Sequence, residues 1–158
     1  MVTPALAELR IETTSPGETM ALAATLAGVA EPGDLICLWG ELGAGKTVFA
    51  KGFGAGLGID ATISSPSFVL MSEYAGRLSL FHLDLYRLGG PEDVVAGGLL
   101  DERQAAGVTL IEWPERLEPI VPIPRLDVHL AEAGGDRRSI ALRHVGAGLD
   151  RYLRAVAR

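Results

Sequence analysis

Apolar and polar positions along the chain change period several times, and each change marks an element. Leu9-Arg10-Ile11-Glu12-Thr13 alternates with the two-residue period of a strand that buries one face. Ser15-Pro16-Gly17-Glu18 then sets a capping serine three residues before a glutamate, with proline at the first helical position, and predicts a helix through Met20 to Val29. Pro32-Gly33-Asp34 turns the chain into the apolar run Leu35–Trp39, which reads as a buried strand. A helix follows from Thr47 to about Leu57, with Gly58 as its stop. Phe68 to Tyr74 and Arg77 to Leu83 predict an antiparallel hairpin closed by the two residues Ala75-Gly76. Pro91-Glu92-Asp93 opens a helical or turn segment to about Ala106, weakened by Gly97-Gly98, before a second apolar strand at Val108–Glu112. Arg125 to Ala131 and Arg138 to Arg143 alternate as strands around the turn Gly134-Gly135-Asp136, and Leu149 to Val156 reads as a short amphipathic helix. The β-α-β opening calls for an α/β fold with a mostly parallel central sheet, an antiparallel hairpin inserted, and helices on both faces.

Between the first apolar strand and the helix lies Gly40-Glu41-Leu42-Gly43-Ala44-Gly45-Lys46-Thr47, the G-x-x-x-x-G-K-[ST] pattern of a phosphate-binding loop in its strand and helix context. Its glycines let successive backbone N–H groups point into one concavity, where an anion also meets the positive end of the following helix. Lys46 would lie against the β- and γ-phosphates of a nucleoside triphosphate, and the Thr47 hydroxyl would bind Mg²⁺. The chain holds only two lysines, so a chance match to the whole pattern is remote.

Carboxylates stand where such a loop needs them. Glu112 ends the second apolar strand, the position of a Walker B acid, where it can serve Mg²⁺ or polarise an attacking water. Glutamate in place of the usual aspartate favours the water-positioning role over direct ligation. In His82-Leu83-Asp84-Leu85-Tyr86-Arg87 the period of a strand turns His82, Asp84 and Tyr86 to one side and Leu83 and Leu85 to the core. Asp84 could hold Mg²⁺ or a water, His82 could orient it, and Arg87 could pair with a phosphate or carboxylate. The same alternation also suits an amphipathic strand with a solvated face. The hydroxyl-rich stretch Ile63-Ser64-Ser65-Pro66-Ser67-Phe68 has the place of a loop that senses the γ-phosphate, or of an ordinary polar turn.

Length and composition narrow the class. One domain spanning residues 1–158 is expected, with room for a real core and none for a second catalytic domain. Apolar residues at 48% and charged ones at 22% describe a globular chain. No apolar run spans a bilayer and no secretory leader is evident, so the cytoplasm is the expected location. The single cysteine, Cys37, lies in the first apolar strand and is expected to pack. The net charge of −6 hides an asymmetry: residues 1–136 carry 19 acids and 8 bases, residues 137–158 carry 1 and 6. An acidic body makes a poor nucleic-acid binder on its own. The arginine-rich end could touch RNA, a nucleotide or an acidic partner, or form a solvated helix face and hairpin.

Taken together, Gly-Glu-Leu-Gly-Ala-Gly-Lys-Thr at 40–47, Ser-Pro-Ser-Phe at 65–68, His-x-Asp-x-Tyr-Arg at 82–87 and Ile-Glu-Trp-Pro-Glu at 111–115 resemble the TsaE (formerly YjeE) family. These are small bacterial P-loop ATPases required for threonylcarbamoylation of the adenosine beside the anticodon of tRNAs. The resemblance implies weak ATP hydrolysis by the chain alone, and action with the TsaD–TsaB heterodimer, which carries the transferase chemistry; contact with tRNA would come through that complex. By motif match it assigns Lys46 to phosphate, Thr47 and Glu112 to Mg²⁺, Asp84 to the metal and γ-phosphate, and Ser65 to Phe68 to the switch. It also sets Arg137 near the nucleotide and Thr14 to Glu18 near adenine. Ser67 and Val48 depart from the family's usual threonines, and Gly97-Gly98 from its usual helix. Two rivals follow from the loop itself. A small-molecule kinase would need an acceptor site and an arginine-rich lid, which is not evident; a GTP switch commonly needs an Asn-Lys-x-Asp motif, and the chain has no asparagine.

Overall fold

A computed structural model describes residues 7–63, 71–92 and 102–157. Among the described residues the regular elements run in the order β1 (Glu8–Thr13), α1 (Pro16–Ala27), β2 (Leu35–Trp39), α2 (Lys46–Gly56), β3 (Met71–Tyr74), β4 (Leu80–Asp84), β5 (Val108–Glu112), β6 (Arg125–Glu132), β7 (Arg138–Val145) and α3 (Asp150–Val156). Short 3₁₀ turns at Glu102–Ala106 and Pro114–Leu117 flank β5.

The strands form one sheet in the order β1-β7-β6-β2-β5-β4-β3. Its centre, β6-β2-β5-β4, is parallel, while β3, β7 and β1 join antiparallel at the wings. The mostly parallel centre with an inserted hairpin is therefore the observed architecture. β2 and β5 are buried along almost their whole length, as apolar strands covered on both faces must be. One face carries α1, α2 and α3: Leu26, Phe49, Phe53, Tyr152 and Leu153 pack there with Leu38, Leu110, Val128 and Ile140 of the strands. Each such phenylalanine contributes roughly 1.5–3 kcal/mol by leaving water. On the other face Leu35, Cys37, Phe81, Leu83 and Ile111 pack with Leu85 and with Leu117 of the second 3₁₀ turn. Cys37 is buried in that layer, and burial pushes its thiol well above the ordinary range, so packing is its role. Within the described residues the α-helices lie on one face only and 3₁₀ turns cover the other. The expected segment 91–106 is seen at Pro91-Glu92 and at the 3₁₀ turn, and its middle lies outside the described residues.

Helix α1 starts as its residues dictate. Ser15 Oγ accepts from the Glu18 N–H at 3.2 Å, Pro16 opens the first turn, and Glu18 Oε1 accepts from the Thr14 N–H at 2.7 Å. α1 lies directly against α2, because Gly52 and Gly56 leave no side chain between them: a Cβ on Gly52 would sit 2.3 Å from the Met20 carbonyl oxygen.

The hairpin corrects one expectation. Strand β4 begins at Leu80 and pairs Tyr74 with Leu80, so residues 75–79 form a five-residue connection instead of a two-residue turn. The cause is Arg77, whose guanidinium donates to the Ala27 and Ala30 carbonyls at 2.8 and 3.1 Å at the end of α1, while its N–H bonds Leu57 O at 2.7 Å. A cation capping a helix C-terminus satisfies otherwise unpaired carbonyls and draws these residues out of the strand.

Candidate functional site

The glycine-rich loop leaves β2 at the carboxyl edge of the parallel strands and hands the chain to α2. Gly45 is the residue before the helix at φ 104°, and Gly40 adopts φ 154° with a Cβ position only 2.5 Å from the Leu130 carbonyl oxygen. Neither position accommodates a side chain without strain. The turn sets Lys46 and Thr47 at the first helical positions, at the positive end of the α2 dipole.

The register of β4 and β5 brings the acids to this point. Asp84 and Glu112 are Cα partners, and Leu38 of β2 is the next partner of Glu112. A cavity of about 310 Å³ is lined by Gly43, Lys46, Thr47, Asp84, Glu112, Trp113 and Arg138, together with Leu42, Gly45 and Val48. Four residues singled out from the sequence, Lys46, Thr47, Asp84 and Glu112, thus meet in one place. Glu41, with Gly40, Leu42 and Ala44, lines a neighbouring cavity of about 290 Å³ on the other flank of the loop.

Lys46 is buried, and its ammonium donates to Gly40 O at 2.5 Å while lying 3.4 Å from the centroid of the Trp113 ring. Burial lowers its pKa, and the negative charges of Glu112, Glu115, Asp84 and Glu41 oppose that shift. Asp84 is shifted upward, first by burial and further by the like charge of Glu112, while its Oδ1 accepts from the Tyr86 N–H at 3.0 Å. Glu112 is 3% exposed and pairs with fully buried His82, Nε2 to Oε2, at 2.7 Å. His82 therefore turns to the same side as Asp84, as strand alternation predicts, and faces Glu112 in particular. Tyr86 lies past the end of β4, exposed, with its ring 4.8 Å from that of Trp113. Arg87 is exposed and is not among the residues lining the cavity. The stretch 64–67 falls outside the described residues.

Two contributors escaped the sequence reading. Trp113 holds a left-handed backbone at φ 61° between Glu112 and Pro114, which lays its indole over Lys46. Its signal was a bulky aromatic followed by proline directly after the acid that ends a core strand. Arg138 donates from Nε to Ala44 O at 3.1 Å and from Nη2 to Gly43 O at 3.2 Å, so the β6–β7 hairpin grips the loop. Arg137, assigned to the nucleotide by resemblance, instead forms an exposed pair with Glu12 at 2.9 Å and does not line the cavity. Strand parity carries the distinction, because Arg138 shares a face with Ile140 and Leu142, which pack on the side of α2. Of the stretch 14–18, Pro16 lines a small cleft beside the loop with Thr19, Gly45, Val48, Asp136 and Arg138.

Among the described residues no three His, Cys, Asp or Glu side chains gather as a metal-binding group, and no helix is long and apolar enough to cross a membrane.

Comparison with known proteins follows the same lines. Residues 13–140 match the family model described as threonylcarbamoyl adenosine biosynthesis protein TsaE. The tRNA threonylcarbamoyladenosine biosynthesis protein TsaE of Bacillus subtilis is 41% identical over 140 residues, covering 88% of this chain and 87% of that protein. Its namesake from Treponema pallidum is 40% identical over 112 residues, 71% of this chain and 83% of the relative. The crystal structure of Bacillus subtilis YdiB superposes with a TM-score of 0.73 at 36% identity, across 98% of this chain and 95% of that one. With a shared architecture and sequence identity across most of its length, the chain belongs to the TsaE family and serves tRNA threonylcarbamoyladenosine biosynthesis.

Proposed function

We propose that the chain is the ATP-binding and ATP-hydrolysing subunit of this modification system and that it acts on a TsaD–TsaB complex. The observation that carries the reading is the meeting of Lys46, Thr47, Asp84 and Glu112 in one cavity at the start of α2. A triphosphate laid along the loop would find backbone N–H groups, the helix dipole and one ammonium aimed at its charge. Lys46 would exchange its Gly40 carbonyl for phosphate oxygens. The donor set also fits Mg²⁺, a hard cation that takes one or two carboxylates, hydroxyls, waters and the phosphates themselves; the absence of a three-acid cluster among the described residues accords with a cation that arrives with its nucleotide. Bound there, Mg²⁺ would neutralise the β- and γ-phosphate charge. Thr47 would hold it by its hydroxyl and Asp84 by its carboxylate. Glu112, anchored by one oxygen, is suited to orient the attacking water or to assist at the cation. The base would lie near the stretch from Thr14 to Glu18, of which Pro16 borders a small cleft beside the loop.

Membership of the TsaE family supports a subunit of the modification system over a small-molecule kinase. The test is direct. Lys46→Ala should abolish ATP binding, whereas Glu112→Ala should keep nucleotide and lose turnover. ATPase activity of the intact chain should rise on adding TsaD and TsaB, and ATP should govern their co-purification. Tight ATP binding by Lys46→Ala would sink the site assignment, and indifference to TsaD–TsaB would sink the partner.

A further inference from the structure

His82 is fully buried, yet it is a polar side chain on a central strand, and no backbone need is met by it. Its Nε2 lies 2.7 Å from Glu112 Oε2, and its Nδ1 is buried with no hydrogen-bond partner among the described residues. These facts fix where its proton sits. A proton on Nδ1 would leave a buried donor unpaired and would put two acceptors against each other at Nε2. A proton on Nε2 satisfies the short contact and leaves only an unused lone pair. The imidazole thus donates from Nε2–H to the carboxylate of Glu112.

The surroundings say what that bond does. Asp84 is the Cα partner of Glu112 and repels it, while the ammonium of Lys46 attracts it. A carboxylate with free rotation would swing from the first to the second, and the lysine would be neutralised by its own neighbour. Instead, the contacts of Lys46 among the described residues are the Gly40 carbonyl and the face of Trp113. We infer that His82 is a positioning residue, which by donating from Nε2 holds the Glu112 carboxylate in one rotamer and away from Lys46. The lysine then stays available for phosphate, and the carboxylate for the water or cation beside it. His82 comes from β4 and Glu112 from β5, so the bond also ties the two acid-bearing strands together at the site. This inference rests on the proposed role of Glu112 in ATP turnover.

Two measurements test it. In the nucleotide-free protein, long-range ¹H–¹⁵N correlation of labelled histidines should show the His82 ring protonated at Nε2; an Nδ1–H tautomer would overturn the assignment. In kinetics, His82→Phe keeps a flat ring and removes the donor, whereas His82→Gln restores an N–H donor at the same reach. The phenylalanine variant should lose about 10- to 100-fold in kcat. Its affinity for a fluorescent ATP analogue, measured without divalent cation, should fall about three- to tenfold, because the released Glu112 carboxylate turns to Lys46 and competes with phosphate. His82→Gln should recover most of the rate. Equal rates in all three proteins, or equal losses in both variants, would overturn the positioning role. If the phenylalanine variant does not fold, the glutamine variant and the tautomer decide the matter. Failure of the wild type to bind or hydrolyse ATP would instead defeat the proposed function, and the tautomer measurement would still report on the bond.

Discussion

Arg137 and Arg138 are adjacent in the chain and have opposite surroundings. The first reaches out to Glu12 in an exposed pair, the second reaches in to the carbonyls of Gly43 and Ala44. Exposed pairs contribute little, and a guanidinium holding two loop carbonyls beside an anion site contributes more. Arg138→Ala should therefore weaken ATP binding roughly tenfold, equivalent to about 1.4 kcal/mol, whereas Arg137→Ala should change it by less than about twofold. Titration calorimetry on the two variants checks the contrast. Strand parity separates the surroundings of the two arginines, which a family motif match alone does not. The loop at 40–47, Asp84 and Glu112 were legible because their chemistry is local to short motifs. The indole of Trp113 over Lys46 was not, since a left-handed residue outside glycine leaves no mark on hydrophobic period.

Elements were legible where their boundaries depend on near neighbours. β2 and β5 come out at the predicted residues, and α1 begins at the predicted cap. The β3–β4 hairpin did not, because Arg77 finds its partners about fifty positions earlier in the chain. The cap makes a pH-dependent prediction. Hydrogen bonds from Thr14, backbone first, lower the Glu18 pKa below its ordinary 4.5. A carboxylate with a lowered folded value contributes stability above its unfolded value and loses it as pH falls through the folded one. Glu18→Gln should melt slightly below wild type at neutral pH, and the difference should shrink below the ordinary value of 4.5 and vanish once pH has fallen past the lowered folded one, which melting curves across pH can follow. The contact between α1 and α2 makes a blunter one. Gly52→Ala would press a methyl against the Met20 carbonyl, and should cost about 1–3 kcal/mol, or several degrees of melting temperature. An unchanged melting temperature would show that the helices can separate freely.

At the scale of the whole molecule, the charge asymmetry resolves into fasteners. Arg151 of α3 donates to Asp34, to Val29 O and to Gly148 O, and Tyr152 donates to Asp34, so the end of the chain is pinned beside the turn that precedes β2. Arg154 pairs with Asp150 within α3. Arg151 thus closes the fold, while Arg154 stays largely exposed. The pairing of β4 with β5 has a last consequence. By standing Asp84 beside Glu112 in a partly buried place, it sets a carboxylate at some cost: burial first, and the like charge of Glu112 after it, raise the pKa of Asp84, and Lys46 offsets them only in part. Above the ordinary aspartate value of 3.8 the ionised side chain works against the fold. Asp84→Asn keeps an acceptor for the Tyr86 N–H and removes the charge; without divalent cation it should melt roughly 1–3 °C above wild type, and Mg²⁺ with nucleotide should reverse the order. The fold thus keeps two neighbouring acids at the end of its central strands at some expense of its own stability.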